Sequence, residues 1–230
     1  MAARSRRVYL LAGALMVGIL LAFSGGSALG ATQTVALWNM EDPSQLIDDS
    51  GNNNNGTTTN ITSVPGFDGN GYHFDGSSSI ATVPSSDTLN PGSADITFTA
   101  HVNFTQVPNA TVGDYDIVRK GLSTSAGGDY KMEIVPRRTY TVAKAFCLFQ
   151  DSTAKVGKIA GGRNLANGTW HTISCTKTPT SVVLTVDGRT YTKAVQLGSI
   201  SNADLLTIGA QSRNADWYAG DMDKVSVDIG

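Results

Sequence analysis

Apolar and polar residues alternate with a period of two along most of the chain. In DITFTAHVNF, Ile96, Phe98, Ala100, Val102 and Phe104 fall on one side and Thr97, Thr99, His101 and Asn103 on the other. SVVLTVDG and DKVSVDIG repeat the pattern, and shorter runs occur at VALWNM, GYHF, IATV, YDIV, YKMEIV, KAFCLF, TWHTISC and LLTIGA. Successive side chains of a strand point to opposite faces, so these runs predict strands with one dry face. Turn-forming clusters such as STSAGGD, KTPTS and VDGRT separate them. No segment sustains a helical period. About a dozen short strands without helices predict an all-β fold, two antiparallel sheets packed as a jelly-roll sandwich.

The N-terminus departs from this pattern. Arg4, Arg6 and Arg7 precede the apolar run VYLLAGALMVGILLAF, and small residues including Ala28 and Gly30 follow. This is the layout of a signal peptide, expected over residues 1–30 with the mature chain starting near Ala31. The apolar run, Val8 to Phe23, is shorter than the roughly 20 residues of a spanning helix, so contact with a membrane is expected only through the transient signal peptide, the alternative being an uncleaved anchor. SRRVYL resembles a twin-arginine export signal, although the general export route fits equally well. The protein is therefore expected to be secreted.

Removing residues 1–30 takes three of the 17 basic residues and none of the 19 acidic ones, which leaves a net charge of about minus five. Nucleic acid is not an expected partner. Residues 31–230 suffice for one well-buried domain. Cys147 in AFCLF and Cys175 in HTISC both sit in alternating runs of an exported chain. They are expected to form a disulfide across neighbouring strands, the alternative being two buried free thiols.

The ordered series LWNMED, DDSGNNNNGT, YHFDGSSSIATVP, DITFTAHVNF, TWHTISCTK, VVLTVDG and WYAGDMDKVSV resembles the laminin-G-like, concanavalin A-like jelly-roll domains of secreted bacterial proteins. The resemblance runs from about Val35 to Asp228. It implies two curved sheets, a concave face or rim loops that bind glycans or proteins, and frequently one structural calcium.

That resemblance packs DDSGNNNNGT near the start of the last strand, GDMDKV. Simple alternation there puts Asp223 on the same face as Val225 and Val227, where a carboxylate needs a partner. A calcium ion held by Asp49 or its neighbour Asp48, by oxygens around Asn52 and Asn54, by Asp223 and by Glu41 would supply it, since calcium takes six to eight oxygen ligands. The alternative is an Asn/Gly turn whose polar groups bond its own backbone, with Asp223 tied to a backbone N–H. The loop does not fit an EF-hand at either glycine.

Catalytic signatures are sparse. Glu41 and Glu133 are the two glutamates of the chain. Asp129 and Glu133 share a strand face but lie about 13 Å apart at strand rise, farther than a glycosidase pair uses, while Asp pairs from different strands stay open. His171 and Cys175 are separated by a similar distance and cannot act as base and nucleophile. His73, His101 and His171 receive no role. Zinc-protease and phosphate-loop motifs do not occur. The expected function is a non-catalytic binding module for polysaccharide, glycan or another surface polymer; the alternatives are an extracellular protein-interaction domain or, last, a glycoside hydrolase. Trp38, Phe74, Trp170 and Tyr218, at the family's motif positions, are expected in the core. Trp217, Tyr140 and Tyr115 are less committed, and Trp217 with Arg213, Asn214 and Asp216 is the expected ligand-binding loop.

Overall fold

The computed structural model describes residues 32–211 and 215–230. The expected signal peptide, Arg213 and Asn214 lie outside the described residues. Fifteen strands follow in order: β1 (Gln33–Trp38), β2 (Thr57–Thr59), β3 (Thr62–Pro65), β4 (Asn70–Asp75), β5 (Ile80–Val83), β6 (Ile96–Asn103), β7 (Tyr115–Lys120), β8 (Asp129–Arg137), β9 (Val142–Gln150), β10 (Val156–Gly161), β11 (His171–Lys177), β12 (Ser181–Val186), β13 (Arg189–Ala194), β14 (Leu206–Ile208) and β15 (Ala219–Ile229). A single 3₁₀ turn at Asp87–Leu89 is the helical element among the described residues.

The strands form the two sheets that the alternation predicts. The first runs β13-β12-β11-β6-β15-β4-β3, with β1 also paired to β15, and the second runs β10-β9-β8-β7-β14-β5-β2. All named pairings are antiparallel. The inner faces enclose one core that includes Trp38, Phe74, Phe98, Tyr130, Phe149 and Tyr218. Their polar tips are satisfied: Trp38 Nε1 donates to the Asn54 carbonyl at 2.9 Å and Tyr130 Oη to that of Leu89 at 3.0 Å.

Two core expectations need correcting. Trp170 is only half-buried, because it precedes β11 and lies edge-on to the exposed Phe67 instead of entering the sandwich. Tyr115 is committed after all, since β7 turns it inward against Phe104 and Tyr218.

Cys147 and Cys175 are bonded, but not across neighbouring strands. Cys147 belongs to β9 and Cys175 to β11, so the disulfide joins the two sheets through the core, with Cα atoms 5.6 Å apart. Stacked sheets ordinarily lie about 10 Å apart, so the layers converge at this end. Gly157 and Gly161 allow the approach: a Cβ at Gly157 would meet Val182 Cγ2 at 2.8 Å, and one at Gly161 would meet the Tyr191 ring at 2.5 Å.

The last strand changes phase. Between Asp223 and Ser226 the pairing of β15 with β6 shifts, and Lys224 adopts φ 45°. This bulge puts Met222 and Val225 in the core and turns Asp223 to the outer face, opposite His101. Asp223 therefore does not share the face of Val225 and Val227, as simple alternation suggested. It is nonetheless fully buried, because the β3–β4 turn folds over it and Phe67 stacks on His101 at 4.0 Å.

Replacing both Cys147 and Cys175 by alanine is expected to lower unfolding stability by about 3.5 kcal/mol on the chain-entropy account of a 28-residue separation. Denaturant titration of the wild type with and without reductant checks it. The double variant and the reduced wild type should share one midpoint.

Candidate binding site

The outer face of the second sheet carries an array of charges that is almost wholly buried. Along β8, Tyr130, Met132 and Ile134 point into the core, so Asp129, Lys131 and Glu133 point outward. β7 adds Asp116 and Arg119. A strict strand would put those two on opposite faces, but the register shifts between Asp116 and Val118, and the bulge brings both side chains outward. Leu148 and Gln150 of β9 continue the face beside β8. Asp114 precedes β7, and Asp216 accepts the Asp116 N–H on its carbonyl at 2.9 Å, which sets Asp216 against the same strand.

All of these except Asp116 and the core-facing side chains line a cavity of about 270 Å³, with Ser123, Thr124 and Gln211 completing much of the wall. Arg119 is its organising cation. Its Nε and Nη2 donate to both oxygens of Asp116 at 2.6 and 2.9 Å, and Nη2 also donates to Glu133 Oε1 at 2.9 Å. Lys131 pairs with Glu133 as well. Asp116, Arg119, Asp129 and Glu133 are each at most 4 % exposed. Asp114 Oδ1 and Asp129 Oδ1 are buried without a hydrogen-bond partner.

Among the described residues, five carboxylates thus gather around two cations. Burial pushes the Glu133 carboxyl up, and the Asp116 charge adds to that rise. Asp114 is raised by burial and then by Glu133 and Asp216. Asp116 is raised by burial despite the opposing pull of Arg119. Burial also raises Asp129 and Asp216.

One oxygen from each of Asp114, Asp116 and Glu133 lies within 4.8 Å of the other two, so this buried acidic cluster could hold a metal ion. The larger rim cleft by His73 and Asp221, about 370 Å³, has a surface-accessible His–Asp pair and no comparable buried charge array.

The expected calcium ligands sit elsewhere and divide into two groups. In the asparagine loop, Asp48 accepts N–H donors from Leu37, Ser50 and Asn54, and the Ser50 hydroxyl. Burial pushes Asp48 up, but these donors outweigh it and hold the carboxyl below its ordinary value. The Asn54 side chain bonds the Val35 carbonyl and the Thr88 hydroxyl, Asn52 bonds Ser50, and Asp49 accepts from Asn39. Asp223 and Glu41 instead meet at the β3–β4 turn, where they accept the N–H groups of Asp68 and Asn70 respectively. Each of Asp48, Asp49, Asp223 and Glu41 thus accepts at least one protein donor. Of the expected ligand-binding residues, Trp217 is half-buried ahead of β15, while Gln211 and Asp216 of its loop line the cavity.

Sequence reasoning did not assemble the cavity. The outward triplet Asp129, Lys131 and Glu133 was its readable sign. The bulge that brings Asp116 to Arg119 has no such sign.

Two antiparallel sheets packed in this order form a concanavalin A-like jelly roll. Residues 74–227 match the family model of the concanavalin A-like lectin/glucanases superfamily, and the chain belongs to that family. Among solved structures it is similar to the binding domain of Paraclostridial Mosquitocidal Protein 1, at 18 % identity and TM-score 0.66, over 85 % of this chain and 48 % of that one. It is similar to domain 4 of AbnA, an extracellular GH43 arabinanase from Geobacillus stearothermophilus, solved with arabinotriose, at 14 % identity and TM-score 0.61, over 86 % of this chain and 93 % of that one. A third likeness is to the binding domain of botulinum neurotoxin DC, solved with SialylT, at 14 % identity and TM-score 0.59, over 86 % of this chain and 46 % of that one. The chain thus spans about half the length of the toxin binding domains. No curated protein matches the sequence.

A pH dependence follows. Carboxylates raised in the folded state hold protons that the unfolded chain has released, so their contribution to stability falls as pH rises from about 4 to about 7. In metal-free buffer the unfolding midpoint is expected to decline between pH 5 and pH 8. Asp114→Asn should flatten that slope, as thermal scans at several pH values would show.

Proposed function

We propose that this chain is a secreted, non-catalytic carbohydrate-binding module whose site is the cavity between Asp114, Arg119, Asp129, Lys131 and Glu133. The observation that carries this reading is the pair of buried, unpartnered oxygens, Asp114 Oδ1 and Asp129 Oδ1, facing a cavity that also holds the Arg119 and Lys131 donors. Sugar hydroxyls donate and accept at once, and fixed acceptors beside fixed donors match them. The volume admits a single sugar unit, with Leu122 and Leu148 as its apolar contacts. Neighbouring folds solved with arabinotriose and SialylT support a glycan as partner. Support for a non-catalytic role comes from Asp116 and Glu133 being tied up by Arg119 and Lys131, which leaves them poorly placed to exchange protons with substrate.

A second reading has an observation of its own. Phe67, half-exposed, stacks on His101 and meets Trp170 edge-on, an aromatic patch on the opposite sheet suited to a protein partner.

Retention on a panel of insoluble and immobilised polysaccharides separates the two. Wild type should bind at least one, and Asp129→Asn should weaken its affinity by about ten- to a hundredfold, the worth of a hydrogen bond to a charged group. Phe67→Ala should leave retention intact. Reducing ends released from the bound polysaccharide would contradict the non-catalytic part. Export is read separately: the N-terminus of protein recovered from culture medium should lie near Ala31.

A further inference from the structure

We infer that the same cavity binds one divalent cation, and that its all-oxygen donor set selects calcium, through Asp114, Asp116 and Glu133 with Asp129 beside them. The inference concerns the cavity alone and stands whether or not a glycan enters it. Three observations carry it. The first is geometric: an ion at the centre of oxygens no more than 4.8 Å apart is close to coordinating distance from each, and modest side-chain movement brings them to the roughly 2.3–2.6 Å of calcium.

The second is independent of the cluster. Asp129 is 1 % exposed, lines the cavity, and leaves Oδ1 without a partner. Buried carboxylate oxygens are ordinarily satisfied by protein, water or an ion, so this one is open to a ligand in the cavity. Asp114 Oδ1 is a second orphan on the same wall.

The third is charge. Among the described residues, Asp114, Asp129, Glu133 and Asp216 line the cavity with Arg119 and Lys131 as the cations, and Asp116 is paired to Arg119 beside it. A divalent ion would remove most of the excess negative charge, whereas Arg119 alone cannot reach Asp114 or Asp129 within hydrogen-bond distance. Each carboxylate has about four lone-pair positions, so Asp116 and Glu133 can keep Arg119 and still face an ion. With no histidine or cysteine in the cluster, a hard cation is favoured over zinc or copper.

The test is calorimetric titration of the chelator-treated protein with calcium and, separately, magnesium, without glycan. One calcium per chain is expected, with weaker magnesium binding. Asp114→Asn and Asp129→Asn should each weaken binding at least tenfold. Glu41→Gln and Asp49→Asn, at the rim, should retain it. Absence of a calcium heat at millimolar concentration, with wild-type thermal unfolding unmoved by calcium, overturns the inference. So does binding that survives both cavity variants and is lost in a rim variant. Glycan retention in chelator is read in parallel: its persistence would leave the glycan site standing where the cation site had failed.

Discussion

A strand in a two-layer sandwich can commit only every second side chain to the core. The architecture of this protein depends on that constraint, and so does the placement of its chemistry. Tyr130, Met132 and Ile134 hold β8 in the core, which leaves Asp129, Lys131 and Glu133 free to build something on the other side. Charges this deeply covered are tolerable only as a connected set. Arg119 joins Asp116 on its own strand to Glu133 on the next, Lys131 meets the same Glu133, and Asp129 is left with an open oxygen.

The same constraint explains what could be read from residues alone. Every interior strand announces itself by alternation, as β6 does with Ile96, Phe98, Ala100 and Val102. The strands that escaped notice are β2, β3, β10 and β13, which are the outermost strands of the two sheets. Arg189–Ala194 is nearly all exposed and Thr57–Thr59 similarly so. An edge strand needs little apolar surface and is often kept polar to discourage pairing with other chains, so its sequence resembles a loop. The cysteines were paired correctly, yet alternation says which face a residue occupies and not which sheet stands across from it.

Site residues were harder to read because two bulges invert the parity on which the reading rests. One extra residue in β7 unites Asp116 and Arg119 outward. Another in β15 removes Asp223 from the face of Val225 and hands it to the turn containing Phe67 and Asp68. Neither bulge has a glycine at its centre to betray it. The asparagine loop shows a different ambiguity, since the groups that suit a cation also suit backbone N–H donors, and in Asp48 the donors lie within a few residues.

The pairing of β1 with β15 has a further consequence. Gln33 stands opposite Ile229, so the two ends of the folded unit emerge side by side, roughly 5 Å apart across one strand spacing. A host protein can receive such a unit inside a single surface loop, with its entrance and exit almost coincident and its own strands undisturbed. The fold is therefore portable: it can be appended, inserted or tandemly repeated without a change in the register that builds its cavity.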